Sequence, residues 1–214
     1  MNQQAKRPAA RGERRRLELI HIAEDVFLER GYADATMDDV AQRAGASKAT
    51  LYKFFGSKEG LFAASVHQHV PMSISGPDDD PNGNVHDRLI AWGHGVIEMI
   101  ATPRTVALYR VIVSEVTRAP ELGRLFHDSG PAEAERAVAA LIRQGVAHGE
   151  LDCDDPEILA DLFVSMVLGS WLRMALVGII CPRPGEEQVK RAVDMVFALY
   201  GTKTGIARAS RSGG

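Results

Sequence analysis

A short segment near position 50 combines hydroxyl and ammonium side chains. They are Ser47, Lys48, Thr50, Tyr52 and Lys53. Ammonium groups, hydroxyls and the free amides of a helix N-terminus bind phosphate oxygens, and side chains of the first helical turn reach base edges in the major groove. The segment therefore predicts a surface that contacts double-stranded DNA.

The elements that position this segment are predicted to be a helix-turn-helix pair. Thr36 and Asp39 have the spacing of a capping box, which predicts that the first helix of the pair begins at Thr36. Gly45 can adopt the positive φ that ends this helix, and Ser47 caps the next one. An earlier amphipathic helix that ends near Arg30 supplies the third packing partner.

Composition limits where a DNA-contacting surface can lie. The formal net charge is −3, so the chain as a whole gives no sign of a polyanion partner and the site must be local. Residues 1–16 contain six basic residues and one acid, which predicts a flexible cationic arm. The N-terminus lacks an apolar core, and the two cysteines, Cys153 and Cys181, fit a reducing cytoplasm, so we expect a cytoplasmic protein.

The chain is expected to be all-α and to form a helix-turn-helix domain followed by a larger helical domain. Alternating strand patterns are absent, and apolar residues recur at helical spacing almost throughout. The expected divisions are a basic arm at 1–16, a DNA-binding domain at 17–70, a linker at 71–84, a helical regulatory and dimerisation domain at 85–201, and a disordered tail at 202–214.

One apolar run, from Leu162 to Cys181, is long enough to cross a bilayer. Arg173 and several small or polar residues reduce its tendency to insert, and basic clusters do not flank it. We therefore expect one buried helix from Pro156 to about Val177 and no membrane partner. Two neighbouring stripes run along this helix, one through Leu162 and one through Phe163, and the sequence leaves open which faces the core and which a partner subunit.

The stretch from Arg15 to Val70, centred on TMDDVAQRAGASKATLYKFFGSKEGLF, resembles the N-terminal domain of the TetR/AcrR family of bacterial transcriptional regulators. The resemblance implies a homodimer that binds a palindromic operator and represses transcription until a small molecule binds. Thr36 and Lys58 resemble the family's phosphate anchors, and Thr50, Tyr52 and Lys53 its groove-facing residues. Phe54 departs from the Tyr or His common at its position and lacks their hydrogen-bond donor.

The C-terminal half resembles a subgroup of the same family. The resemblance implies that the last two helices, Pro156–Val177 and Glu186–Tyr200, pair with their two-fold mates as a four-helix bundle. Its candidate interface residues are Leu162, Met166, Val193 and Phe197.

A ligand cavity is expected among the helices of residues 85–178, for a small apolar or amphipathic molecule. For any single candidate residue, ordinary core packing is the simpler explanation. The large, soft or polar candidates are Trp92, His94, Met99, Tyr109, Arg110, Phe126, His127, Met166, Trp171 and Met174.

Enzymatic chemistry has no credible site in this sequence. His67 and His69 point to nearly opposite sides of a helix, so they cannot chelate one ion, and a glycine-rich phosphate loop is missing. We expect no metal and no cofactor. The alternative from another class is a helical small-molecule carrier or enzyme that has kept a vestigial basic domain.

Overall fold

The computed structural model describes residues 6–68 and 83–212 and shows an all-α protein, as the sequence predicts. The described residues form helices and a single isolated backbone bridge between Leu151 and Gly201. The helices before the gap are α1 (Lys6–Asp34), α2 (Met37–Arg43), α3 (Lys48–Phe55) and α4 (Lys58–His67). After it come α5 (Val85–Ile100), α6 (Pro103–Glu115), α7 (Glu121–Ser129), α8 (Pro131–Ala147), α9 (Pro156–Leu168), α10 (Trp171–Leu176), α11 (Glu186–Tyr200) and α12 (Lys203–Ser212).

The helices form two compact units. The first contains the described residues before the gap together with Ala107–Gly130, and the second contains residues 83–106 and those from Pro131 onward. The sequence-based division instead placed residues 107–130 in the C-terminal domain. They join the N-terminal helices because Leu108, Ile112 and Leu122 are buried in the same apolar core as Phe27.

The core of the first unit holds the helix-turn-helix pair in place. The rings of Phe27, Tyr32 and Phe62 pack against one another, with centroids 5.0 to 5.9 Å apart. Leu51 is the residue of α3 that is fully buried in this core. One side of α3 is thereby fixed, and its opposite side faces solvent.

The second unit has its own core, built from α5, α8, α9 and α11. Trp92 of α5 and Phe163 of α9 lie at its centre, with ring centroids 6.0 Å apart. Gly93 allows α5 to approach α11 closely, because a Cβ at this position would lie 2.5 Å from Cγ1 of Val189. Phe163 and Val167 are fully buried, so the Phe163 stripe of α9 faces the core.

The long apolar run does not form the single helix that the sequence predicts. The helix ends at Leu168, Gly169 adopts φ 54°, and a short separate helix follows. Gln188 donates a hydrogen bond to the backbone oxygen of Met166 (2.9 Å), which satisfies a carbonyl at the break. None of the helices within residues 6–68 and 83–212 is long and apolar enough to span a bilayer.

The two ends of the chain contain more helix than the sequence predicts. The basic arm predicted at 1–16 is helical from Lys6 onward, as part of α1, and the predicted disordered tail forms α12. The tail is ordered because Arg208 pairs with the buried Glu150 (2.8 Å) and Thr202 donates to the carbonyl of Gly149 (2.6 Å). Residues 1–5, most of the predicted linker at 71–84, and residues 213–214 lie outside the described residues.

Candidate DNA-binding surface

The first helix of the pair begins at the predicted capping box. The Thr36 hydroxyl accepts a hydrogen bond from the amide of Asp39 (3.2 Å), and the Asp39 carboxylate accepts from the Thr36 amide (3.0 Å). The hydroxyl also donates to this carboxylate (2.6 Å), and the hydrogen bond holds the pKa of Asp39 below its usual range. Thr36 is exposed, so its hydroxyl fixes the start of α2 at the surface of the unit.

The turn between the two helices is fixed by backbone geometry and by one arginine. Gly45 has φ 55°, in the left-handed region that glycine adopts without a steric penalty because it has no Cβ. Arg15 of α1 donates from Nη2 to the backbone oxygen of Ala44 (2.9 Å), one of the carbonyls at the end of α2. Arg15 therefore supports the turn, a role that its place in the basic arm did not suggest.

The N-terminus of α3 is capped by Ser47. Its hydroxyl accepts from the amide of Thr50 (3.1 Å) and lies 2.8 Å from the Thr50 hydroxyl. Tyr52 is 46% exposed, and Lys53 is exposed on the same helix. Ser47 and Lys48 are exposed as well and Thr50 is half-buried, so these five side chains lie around the N-terminus and the solvent-facing flanks of α3, while Leu51 is buried.

The two lysines of α3 differ in their surroundings. Lys48 forms an ion pair with Asp38 of α2 (2.8 Å), and hydrogen bonding to this carboxylate raises the pKa of Lys48. Both side chains are more than half exposed, and exposed pairs of this kind contribute little stability. A phosphate can therefore replace Asp38 at small cost. Lys53 has no ion pair within the described residues.

Lys58 lies over the connection between α1 and α2. Its ammonium group donates to the backbone oxygen of Ala33 (3.1 Å) and lies 4.4 Å from the centroid of the Tyr32 ring. Partial burial lowers the pKa of Lys58, whereas burial raises the pKa of Tyr32 to about 12. An ammonium has three donors, so the bond to Ala33 leaves others for a phosphate.

Phe54 is half-buried and packs against the core of the first unit, next to Phe55 at 6.0 Å between ring centroids. Its ring therefore serves packing. Arg16 of α1 lies over the Phe55 ring, 5.7 Å from its centroid.

The predicted ligand residues are divided between the two units. In the first unit, the rings of Tyr109 and Phe126 pack edge to face at 4.7 Å, and burial raises the pKa of Tyr109 to about 12. Arg110 and His127 are exposed. Because Tyr109 and Phe126 pack within the first unit, these four residues do not line the concave regions of the second unit described below.

Within the second unit, the predicted ligand residues lie in different surroundings. Trp92 is buried in the core, and Met99 and Met166 are half-buried. Trp171 and Met174 line a groove of about 570 Å³ beside Arg183 and Arg191. His94 lines a second concave region of about 470 Å³, which Arg183 also borders.

The predicted interface residues of the two helices differ in exposure: those of α9 reach solvent, whereas those of α11 are buried. Leu162 of α9 is 48% exposed, and Met166 is half-buried. Val193 and Phe197 of α11 are instead buried in the core of their own unit, so they are not available to a partner. The exposed apolar residues of α11 are Met195 (54%) and Leu199 (75%). Ile158 and Leu162 of α9 are exposed as well.

Two models of known protein families match the sequence of this chain. A model described as "Bacterial regulatory proteins, tetR family" matches residues 19–65, and one described as "AefR-like transcriptional repressor, C-terminal domain" matches residues 87–202. The first match contains the helix-turn-helix pair. The second covers α6 to α11 and most of α5.

Individual relatives agree with these matches. FasR, an HTH-type transcriptional activator of Mycolicibacterium smegmatis, is 46% identical over an alignment of 79 residues that covers 33% of this chain and 36% of FasR. A DNA-binding transcriptional repressor named TetR from Mycobacteroides abscessus is 28% identical over 83% of this chain and 99% of its own length. The solved structure of the flavonoid-responsive regulator FrrA has a TM-score of 0.65 and 28% identity, covering 89% of this chain and 99% of that chain.

All three relatives carry the names of regulators, and two are named for their action on transcription. Since the C-terminal model alone spans more than half of the sequence, and the N-terminal model coincides with the capped helix pair, the chain belongs to the TetR family of bacterial regulatory proteins.

Proposed function

We propose that this protein is a homodimeric, cytoplasmic transcriptional repressor that binds a palindromic operator and is released from it by a small molecule. The observation that carries the proposal is the exposed polar side of α3, where Tyr52 and Lys53 face solvent while Leu51 anchors the helix. A helix held in this way at its apolar side presents hydroxyl and ammonium groups to the major groove.

The charge around α3 supports contact with phosphates. Lys48, Lys53 and Lys58 lie on or next to this helix, and the acid that pairs with Lys48 is exposed and easily replaced. Each phosphate that a lysine neutralises changes the slope of log affinity against log salt by about −0.9. In this proposal Thr36 and Lys58 contact phosphates of the DNA backbone. Thr50, Tyr52 and Lys53 face the major groove of the DNA.

The exposed apolar residues of α9 and α11 support a dimer. Ile158, Leu162, Met195 and Leu199 are large apolar side chains in contact with solvent, on two helices that pack against each other. A two-fold interface uses the same residues from both subunits, so these four would form a self-complementary apolar face. The dimer would then present two copies of α3 about 34–36 Å apart, one turn of B-DNA.

The groove beside Trp171 and Met174 supports a small-molecule signal. Its volume of about 570 Å³ is that of ligand sites in general, and it combines apolar walls with Arg183 and Arg191. FrrA is named as flavonoid-responsive. We propose an amphipathic ligand for the present protein, with its polar part near the arginines, that favours a dimer conformation with lower operator affinity.

The purified protein is expected to bind the DNA upstream of its own or a neighbouring gene in a salt-dependent, sequence-selective manner. Fluorescence anisotropy with this duplex, and with a scrambled duplex of equal length, measures both properties. Equal affinity for the two duplexes at every salt concentration would contradict the repressor and favour a carrier or enzyme with a vestigial basic domain.

Replacing Tyr52 with alanine is expected to weaken operator binding by about 1–3 kcal/mol, the usual cost of removing a side chain that reads a base. Because Tyr52 is nearly half exposed, helicity and thermal unfolding should change little. Anisotropy and circular dichroism on the same preparations check both results. The matched control is His127→Ala, an exposed ring on α7 of the same unit, which should leave operator affinity unchanged. A large loss of stability in Tyr52→Ala would assign this ring to the core.

A further inference from the structure

Both backbone polar groups of Ala33 are held by charged side chains. The amide of Ala33 donates to Oε2 of Glu115 at the end of α6 (3.0 Å), and its carbonyl accepts from Nζ of Lys58 in α4 (3.1 Å). These partners are 82 and 25 residues away in sequence. Ala33 stands three residues before Thr36, so the two side chains hold the segment that leads into α2.

The segment from Gly31 to Ala33 packs against the Glu115 carboxylate. Gly31 has φ 77°, and a Cβ at this position would lie 3.0 Å from Oε1 of Glu115. The carboxylate is only 13% exposed, with Arg118 at 3.8 Å. Arg118 also lies 3.8 Å from Asp34. A largely buried acid that accepts a backbone amide in this way restrains the peptide more than an exposed ion pair would.

We propose that Glu115 is a positioning residue for DNA binding. By holding the amide of Ala33, it keeps the Ala33 carbonyl where this carbonyl orients the Lys58 ammonium. The proposal rests on the phosphate contact proposed above for Lys58. Glu115 itself touches no DNA in this proposal and acts through Ala33 and Lys58.

Electrostatics alone predicts the opposite effect. Glu115 is an acid near Lys58, and removing a negative charge close to a DNA-binding surface would strengthen binding to a polyanion. A positioning role predicts weaker binding when the acceptor is removed, together with a smaller salt dependence because fewer phosphates are neutralised. The direction of the change therefore separates the two explanations.

The test uses two substitutions of Glu115, one that removes its charge and one that shortens its side chain. Glu115→Gln keeps an acceptor oxygen at the same distance and removes the charge, whereas Glu115→Asp keeps the charge and withdraws the oxygen. We expect operator affinity and salt slope near wild type for Glu115→Gln. For Glu115→Asp we expect affinity about tenfold lower, with the slope reduced by about 0.9 for each phosphate that is no longer neutralised.

The matched charge control is Glu121→Ala. Glu121 is an exposed acid of α7 whose charge also acts on Lys58, and it has no described hydrogen bond to the α1–α2 connection. Its removal should leave the salt slope unchanged. Tighter binding by both Glu115→Gln and Glu121→Ala, with wild-type binding by Glu115→Asp, would overturn the positioning role and leave only charge.

Lys58→Ala separates this inference from the proposed function. If wild-type protein binds its operator selectively but Lys58→Ala keeps the full salt slope, Lys58 does not bind a phosphate and the inference fails while the repressor stands. If Lys58→Ala lowers the slope, Glu115→Asp combined with Lys58→Ala should weaken binding no more than Lys58→Ala alone. Independent, additive effects would overturn the coupling. Thermal unfolding of each variant confirms that folded protein is compared.

Discussion

Replacing Leu199 with aspartate is expected to convert the dimer into folded monomers and to abolish tight operator binding. Leu199 is 75% exposed on α11, one helical turn from the exposed Met195. In the proposed two-fold interface the substitution would occur twice, so two carboxylates would be desolvated where two apolar side chains are proposed to pack. A monomer also forgoes the gain of about 10²–10⁴ in affinity that comes from binding two linked half-sites.

Light scattering gives the mass of Leu199→Asp, and circular dichroism shows whether it keeps its helices. Leu162→Asp, on the exposed face of α9, should give the same result. The control is Val113→Asp, a substitution at a 60% exposed valine of α6 in the first unit, which should remain dimeric. If Leu199→Asp remains a dimer, the assignment of the interface to α9 and α11 is wrong.

The local features of the helix-turn-helix pair could be predicted from the sequence. Thr36 and Ser47 cap the helices that their spacing predicts, and Gly45 adopts the positive φ expected of the turn. Such signals depend on residues three or four positions apart, so no knowledge of the rest of the fold is needed. The polar side of α3 follows from the same short-range periodicity.

Interactions between distant residues could not be predicted in this way. The helix break at Gly169 is accompanied by a hydrogen bond from Gln188 to Met166, 22 residues away. The order of α12 depends on an ion pair between Glu150 and Arg208, 58 residues apart. Glu115, which holds the start of the helix pair, is 82 residues from Ala33. No local pattern in the sequence records any of these pairs.

The orientation of α11 was predicted wrongly for a different reason. Val193 and Phe197 lie on its buried side, and Met195 and Leu199 on its exposed side. Val189, Val193 and Phe197 recur at helical spacing as a core stripe, and charged residues share the other side with Met195 and Leu199; the interface was assigned to Val193 and Phe197 from the family resemblance and not from this period. The resemblance to a family supplies the helix but not its rotation.

Because Phe197 is buried and Leu199 is exposed, Phe197→Asp is expected to unfold the protein, whereas Leu199→Asp is expected to dissociate the proposed dimer. Phe197 is buried in the core of the second unit, with its ring 5.2 Å from that of His86. Deleting a buried aromatic ring costs about 3–5 kcal/mol, and a carboxylate without a partner adds to that cost. Since whole domains are stable by only about 5–15 kcal/mol, we expect the second unit to unfold or nearly so.

Chemical denaturation followed by circular dichroism measures the effect. Phe197→Leu is the matched control, because it keeps an apolar side chain and should destabilise the unit far less. A Phe197→Asp protein that unfolds at the wild-type denaturant concentration but has the mass of a monomer would place Phe197 at the interface. Side chains two positions apart on a helix point about 200° apart, so Phe197 and Leu199 cannot face the same partner. Only one of the two aspartate variants can therefore be a stable monomer, and its identity decides how α11 is oriented.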